Sequence, residues 1–170
     1  MYRLRFIWII LKSFFSKPKS IRSTFELKFR VIPFLDTDFS RMFTHAYSAF
    51  MALGRWHYVF DSELRRVAIR NKWAPVTTSE TMTYRKSIKA FSKVTLQTKL
   101  IAWDEQRFYL QQTFLIKGKV KAQCLLEGLI RSPQAILKPV DVFAASGLDE
   151  SSPRFPEDLK KWVAFLRHEA

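Results

Sequence analysis

The stretch THAYSAFMALGRWHYVF, residues 44–60, decides the fold. On a helical wheel its apolar residues cover most of the circumference, while Thr44, Ser48 and Arg55 gather on a narrow polar strip. A helix that is apolar on nearly every side is buried on most sides. Gly54 lies in the main apolar stripe, where it costs about 1 kcal/mol of helix propensity relative to Ala. We therefore expect a long buried helix with a close packing contact at Gly54.

Strand-like segments lie on both sides of this helix in the sequence. The segment TFELKFRVI, residues 24–32, alternates strictly between apolar and polar residues, which predicts a half-buried strand. After a polar helical stretch at 61–71, further strands are predicted at 76–88, 94–103, 108–116 and 120–131, joined by short turns. The economical packing is an α+β fold in which an antiparallel β-sheet wraps around the long central helix. A terminal helix is predicted at 157–168.

The composition restricts the chemistry. The 170 residues fit a single domain, and an apolar fraction of 48% provides material for a core. Neither GxGxxG nor GxxxxGK[ST] occurs, so nucleotide-dependent reactions have no sequence support. The single cysteine, Cys124, excludes an internal disulfide and a cysteine-based zinc site, and the three histidines lack metal-binding spacing. We expect no metal and no cofactor.

Four separated blocks carry a resemblance to a known family. They are VIPFLDTDFSRMFTHAY at 31–47, Gly54-Arg55, the long segment from YRKSIKAF to LLEGLI at 84–130, and FPEDLKKWVAF at 155–165. Together they resemble the hotdog-fold thioesterase superfamily (4-hydroxybenzoyl-CoA thioesterase-like), and in particular the group around thioesterase superfamily member six. The resemblance implies the hotdog fold and hydrolysis of an acyl-CoA or acyl-carrier thioester, with a place in lipid metabolism. It also implies a homodimer or a dimer of dimers, consistent with the unpaired edge strand that a five-stranded sheet leaves.

The D-x-D pair before the helix is the candidate chemical centre. Thioester hydrolysis needs a carboxylate that attacks the carbonyl carbon, directly or through a water, and a group that stabilises negative charge on the carbonyl oxygen. A carboxylate in a loop before a helix N-terminus offers both, but an Asp at that position also commonly caps the helix. Spacing alone leaves both roles open. The resemblance implies that Asp38 is catalytic and that Asp36 shapes the loop.

The residues after Asp38 depart from the family pattern. Where the family has HMNN, this chain has RMFT, residues 41–44. The expected substrate-binding residues are Arg41, Met42, Phe43, Thr44 and Tyr47. For Thr44 and Tyr47, a role in the core is an equal alternative. The loss of the His and Asn side chains supports a second function, that of a non-catalytic acyl-binding or membrane-associated hotdog protein.

A strongly basic balance, net +14, points to an anionic partner. Arg85, Lys86 and Lys89 are candidates to meet the phosphates of CoA, although such runs are commonly solvated faces. Nucleic acid is not an expected partner, because no RNP-like or zinc motif accompanies the charge.

Residues 1–22 form a basic amphipathic N-terminal segment, distinct from the hotdog domain predicted at 23–170. Residues 1–30 contain eight basic residues and one acidic residue, and FIWIIL at 6–11 is too short to span a bilayer. A helix over residues 1–17 would suit an anionic membrane surface, or would dock on its own domain or on a dimer partner. A cleaved signal peptide is disfavoured because no small-residue cleavage site follows. The predicted location is cytoplasmic, peripheral to the membrane through residues 1–17.

Overall fold

A curled antiparallel sheet with helices on both faces forms the body of the protein. The computed structural model describes residues 2–148 and 151–168. The helices are α1 (Tyr2–Phe14), α2 (Thr44–Asp61), α3 (Arg65–Arg70), α4 (Pro139–Ala145) and α5 (Glu157–His168). The strands are β1 (Phe25–Arg30), β2 (Ala74–Tyr84), β3 (Lys93–Trp103), β4 (Phe108–Ile116), β5 (Lys119–Arg131) and β6 (Ile136–Leu137).

The strands follow the order β1-β3-β4-β5-β2, and β6 pairs with the end of β5. All pairings are antiparallel. Consecutive strands β3, β4 and β5 form three strands of the predicted meander. The fourth strand, β2, was expected next to β3, but it pairs with β5, so that part of the prediction is wrong. Strands β1 and β2, which flank α2 in sequence, therefore lie at opposite edges. The α+β class with an antiparallel sheet is therefore confirmed.

Helix α2 packs on one face of this sheet, against β1, β2 and β3. On β1, Phe29 stacks on Phe50 of α2, with ring centroids 3.6 Å apart. A Cβ atom at Gly54 would lie 2.7 Å from the Nε2 atom of Gln112. The Gln112 side chain is fully buried and donates to the Met51 carbonyl of α2 and to the Thr98 hydroxyl of β3. The close contact predicted at Gly54 is thus a hydrogen-bonded link between helix and sheet.

Helix α5 covers part of the opposite face of the sheet. Leu159 and Val163 of α5 form a small buried cluster with Ala102 and Tyr109, separate from the main core. The indole of Trp162 donates to the Thr81 hydroxyl on β2, at 2.8 Å. These contacts explain the apolar stripe that the sequence shows in this terminal helix.

Helix α1 docks on α2 through one of its faces. Ile9 is 3% exposed within the main core, and the Phe6 ring meets Trp56 edge-on at 5.3 Å. Among the described residues, no helix is both long and apolar enough to cross a membrane.

Several element boundaries differ from those predicted. The strand predicted over 76–88 ends at Tyr84, because the N–H groups of Arg85 and Lys86 both donate to the Lys121 carbonyl and the chain leaves the ladder there. The helical stretch predicted at 61–71 is reduced to the six residues of α3. Helix α4 and strand β6 were not predicted; they are seven and two residues long, too short for a periodic pattern to emerge.

Candidate active site

The loop between β1 and α2 is held by backbone hydrogen bonds at both ends. Val31 donates to the Ser92 carbonyl at 3.0 Å, and Met42 donates to the Ile88 carbonyl at 2.8 Å. Within the loop, Phe43 donates to the Asp36 carbonyl at 3.0 Å. These hydrogen bonds fix the position of the loop relative to the start of α2.

Asp36 lies inside this loop and is 5% exposed. Its two carboxylate oxygens accept hydrogen bonds from the guanidinium of Arg5 in α1, each at 2.8 Å. One oxygen also accepts from the Ile32 N–H at 2.8 Å. With its acceptors occupied from two directions, Asp36 holds the loop in shape.

Asp38, two residues further on, is exposed. Its Oδ1 atom accepts from the N–H groups of Ser40 and Arg41, at 3.4 and 3.2 Å. The Oδ2 atom has no hydrogen-bond donor in the part of the chain that the structure describes. Phe43 occupies the N-cap position of α2, where no side chain caps the helix. The Asp38 carboxylate therefore orients within its own loop, does not cap α2, and keeps one oxygen open to solvent.

The start of α2 leaves backbone donors unused. Ala46 and Tyr47 both donate to the Phe43 carbonyl, at 3.1 and 3.4 Å. The N–H groups of Thr44 and His45 donate to no group among residues 2–148 and 151–168. The positive end of a helix dipole lies at such a terminus. This terminus can therefore bind developing negative charge.

An open cleft of about 350 Å³ joins the Asp38 loop to the start of α2 and the end of β2. Its lining consists of Asp38, Arg41, Met42, Thr44, Tyr47, Tyr84, Arg85, Lys86 and Ser87. The structure thus brings the predicted carboxylate together with four predicted substrate-binding residues and two predicted phosphate-binding residues.

Two predicted residues lie outside this lining. Phe43 stacks on His45, with ring centroids 4.6 Å apart, and His45 itself is exposed. Lys89 is exposed and bridges to Arg41 through its backbone. It lies beside the cleft without forming a wall.

Tyr84 is a wall of the cleft that the sequence reasoning did not single out. Its hydroxyl is hydrogen-bonded to the Thr44 side chain, and its ring meets Tyr47 edge-on at 5.1 Å. Burial raises the pKa of Tyr84, and the neighbouring Cys124 and Glu80 add to the rise. The signal available in the sequence was its place at the head of the YRKSIKAF block, directly before the basic residues.

Tyr47 forms the inner wall. Its ring lies between Tyr84 and Phe114, the latter at 5.0 Å, and the residue is buried. Burial raises the pKa of Tyr47, while a hydrogen bond with the Ile88 backbone acts in the opposite direction. Tyr47 is therefore a neutral side chain at physiological pH, with both wall and core contacts.

The rim of the cleft is cationic. Arg41, Arg85, Lys86 and Lys89 are exposed, and none of them forms a salt bridge within the described residues. Cations without carboxylate partners attract anionic groups such as phosphates.

Neither metal chemistry nor cysteine chemistry has a candidate centre in the described chain. No three His, Cys, Asp or Glu residues are grouped there so that they could hold a metal ion. Cys124 is buried, and this burial raises the pKa of its thiol to about 12, so it is neutral and shielded. A separate apolar cavity beside the C-terminal half of α2, near Tyr58 and Phe143, has no carboxylate in its lining.

Comparison with known proteins identifies a family and a relative for this chain. Residues 32–163 match the family described as the thioesterase-like superfamily. Protein THEM6 of Danio rerio is 30% identical over 171 residues, which covers 97% of this chain and 82% of that protein.

Two solved structures illustrate the similarity of fold. A gentisyl-coenzyme A thioesterase superimposes with a TM-score of 0.60 at 22% identity, covering 72% of this chain and 99% of that one. A Staphylococcus aureus protein solved in complex with CoA superimposes with a TM-score of 0.55 at 16% identity, covering 88% and 87%. At these identities the structures show a shared hotdog fold.

Proposed function

Because the chain belongs to the thioesterase-like superfamily, we propose that it hydrolyses an acyl-CoA or acyl-carrier thioester and that Asp38 is its catalytic carboxylate. The observation that carries this proposal is the cleft itself. The exposed Asp38 carboxylate and the uncapped start of α2 line one opening. Of the residues at this helix start, Thr44 lines the cleft together with Asp38. A carboxylate and backbone N–H donors at a helix start are the two components that thioester hydrolysis requires.

The proposed reaction adds one water to the thioester. An oxygen nucleophile attacks the carbonyl carbon, the C–S bond breaks, and the thiolate takes up a proton to leave as a free thiol, while the acyl group leaves as a carboxylic acid. Asp38 promotes this reaction by one of two routes. It removes a proton from the attacking water, or it attacks first and forms an anhydride that water then cleaves.

The start of α2 supplies the second component. During attack, the carbonyl oxygen becomes an oxyanion, and the N–H groups of Thr44 and His45 are available as donors to it. Removing one such donor from an enzyme typically costs about 10²–10³ in kcat. Backbone donors tolerate changes of side chain, so this role survives the replacement of HMNN by RMFT.

The cationic rim would hold the remainder of the substrate. CoA carries phosphates, and Arg85, Lys86 and Lys89 adjoin the cleft beside Arg41. Arg41, Met42, Thr44 and Tyr47 would contact the thioester portion. The CoA complex of the Staphylococcus aureus neighbour supports this class of ligand.

A thiol-release assay over short, medium, long and aromatic acyl-CoAs tests the proposal. Asp38→Asn is nearly isosteric and should reduce kcat at least about 10³-fold, as loss of an essential catalytic group does. The matched control is Glu105→Gln, which neutralises an exposed carboxylate in the β3–β4 turn and should leave turnover unchanged. Wild-type turnover in Asp38→Asn would refute the assignment.

A single turnover in ¹⁸O-labelled water detects an anhydride that water opens at the aspartyl carbon. If Asp38 activates a water, the label enters the acyl product and none enters the protein. If Asp38 attacks first and water then cleaves the anhydride at the aspartyl carbon, the label enters the Asp38 carboxylate and the first product molecule is unlabelled. Mass spectrometry of the peptide that contains Asp38 measures this incorporation.

The alternative function is non-catalytic acyl binding. Arg41 and Phe43 stand where the family has His and Asn, and Phe43 stacks on His45 and is not among the residues that line the cleft. Wild-type protein that binds acyl-CoA in calorimetry but releases no thiol from any substrate would establish this alternative.

A further inference from the structure

Helix α1 presents a wholly apolar face to solvent. Opposite the buried Ile9, five helical residues and the residue after the helix lie within about 120° of the circumference. Each is at least half exposed: Leu4 66%, Ile7 50%, Trp8 67%, Leu11 52%, Phe14 60% and Phe15 91%. A contiguous set of this kind marks an interaction surface.

The helix is fixed so that this face cannot turn inward. Near its start, Arg5 pairs with Asp36, and the Arg5 guanidinium lies 4.7 Å from the centre of the Phe50 ring. Just beyond its end, the Ser16 hydroxyl donates to Asp61 at 3.0 Å, and Arg65 donates to the Ser13 and Ser16 carbonyls. Rotating the helix would break contacts at both ends.

A second exposed apolar set lies on the loop that carries Asp38. Phe34, Leu35 and Phe39 are 83%, 48% and 97% exposed. Phe34 has φ of 60°, a left-handed conformation that non-glycine residues seldom adopt. Because Asp36 lies between these residues and binds Arg5 of α1, the loop and the start of the helix are neighbours.

The surroundings of these two apolar sets are cationic. Residues 1–30 contain eight basic residues and one acidic residue. The exposed charged residues nearest in sequence to the two sets are the cations Arg3, Lys12, Lys17 and Arg41 and one carboxylate, that of Asp38 within the loop. An apolar face with a cationic border complements an anionic bilayer. A second copy of the chain would bring the same cations against its own, which disfavours self-association here.

We propose that the outward face of α1 and the Phe34–Phe39 loop form one surface that binds an anionic lipid bilayer. The helix lies in the interface plane, and the loop inserts its phenylalanines beside it. Since Asp38 belongs to this loop, binding would place the cleft next to the membrane. The binding itself requires no thioesterase activity, so it stands or falls separately from the proposed function.

Vesicle co-sedimentation of the full chain tests this surface. The wild type should bind vesicles of phosphatidylcholine and phosphatidylserine, bind pure phosphatidylcholine less, and lose affinity as salt rises. Two double variants remove exposed apolar groups, Trp8→Ser with Phe15→Ser on the helix and Phe34→Asn with Phe39→Ser on the loop. Each should weaken partitioning at least roughly tenfold, from the apolar area that no longer enters the lipid.

The matched control is Val140→Ser with Phe165→Ser, which removes exposed apolar groups of 66% and 58% exposure from α4 and α5. It should bind like the wild type. Thermal unfolding verifies that each variant is folded. Wild-type binding by either test variant, or no binding of anionic vesicles by the wild type, overturns the proposal. A dimer that dissociates in the helix variant without lipid would instead identify the face as a contact between copies.

Discussion

Asp36 and Asp38 stand two residues apart and have opposite surroundings. Asp36 is buried and holds Arg5 and the Ile32 N–H, whereas Asp38 is exposed with one oxygen unbonded among the described residues. Their sequence context is nearly the same, because both precede the same helix. Only the folded chain separates the group that shapes the loop from the group that faces the cleft.

Asp36→Asn should lower the free energy of unfolding by about 2 kcal/mol, because it leaves the Arg5 cation without its partner in a mostly buried place. Asp38→Asn should change stability by less than about 0.5 kcal/mol, since its site is exposed. Urea denaturation followed by circular dichroism measures both.

Combining Asp36→Asn with Arg5→Met should cost less than the sum of the two single changes, because the partners act as a unit. Additive costs, or a stable Asp36→Asn protein, would show that the ion pair does not hold the loop.

At the residue scale the sequence was informative where a local pattern exists. Gly54 predicted a close contact because a glycine in the apolar stripe of a helix lets a neighbouring group approach the helix backbone, and Gln112 lies there. The Arg5–Asp36 pair could not be predicted. Its members are 31 positions apart, and any of many basic residues could have met that carboxylate. Tyr84 could not be assigned to the cleft from the sequence, because that assignment depends on where β2 ends, and the predicted end was wrong.

At the scale of elements, α1 is joined to α2 by a polar cluster as well as by the core. Asp61 at the end of α2 lies 3.2 Å from His57 and accepts from the Ser16 hydroxyl after α1, while Arg65 faces the same group. Burial alone would raise the pKa of Asp61. Hydrogen bonds and the charges of His57 and Arg65 outweigh that effect, so its pKa lies below the ordinary value of 3.8.

This depressed pKa makes the junction sensitive to acid. The stabilisation is present above about pH 4 and is lost as the pH falls through the folded-state pKa of Asp61. Asp61→Asn should therefore cost about 1–2 kcal/mol at pH 7, and the difference from the wild type should shrink below pH 4. Urea unfolding between pH 7 and pH 3 measures it, with Glu105→Gln as an exposed control. A cost that is independent of pH would show that packing, not the charge, matters at Asp61.

Element boundaries show where periodicity stops being informative. Strand β4 and helix α5 have the predicted limits, because turn residues or proline frame a clear pattern in each. The strand before the cleft was predicted to continue to residue 88, but it ends at Tyr84. Two N–H groups that converge on one carbonyl take the chain out of the sheet there. That choice depends on β5, which lies more than 30 residues further along.

At the scale of the whole molecule, the two edges of the sheet differ. Among the described strands, β1 pairs only with β3, and β2 pairs only with β5. Edge strand β1 carries three charged residues in six, which discourages further pairing. Edge strand β2 carries one charged residue in eleven and ends at the cleft. Helix α5 covers part of the outer face of the sheet. A dimer in which the outer faces of two subunits stack is therefore less favourable than one that pairs sheet edges.

We therefore expect a homodimer in which two β2 strands pair about a two-fold axis. Sedimentation equilibrium should give twice the chain mass of 20.1 kDa. Cysteines placed one at a time at Thr78, Glu80 and Thr83 of β2 should form an intermolecular disulfide at whichever position lies closest to the axis, where Cβ atoms approach about 4 Å.

The chain suits this disulfide test because its own Cys124 is buried, with a pKa of about 12, and stays out of the exchange. Lys28→Cys on the charged edge β1 is the control and should remain uncrosslinked. If Lys28→Cys crosslinks as well as the β2 variants, the dimer is not formed specifically through β2, and this prediction is wrong. A stable monomer with full activity would show that a single chain completes the cleft, and the free edge of β2 would then need another means of protection.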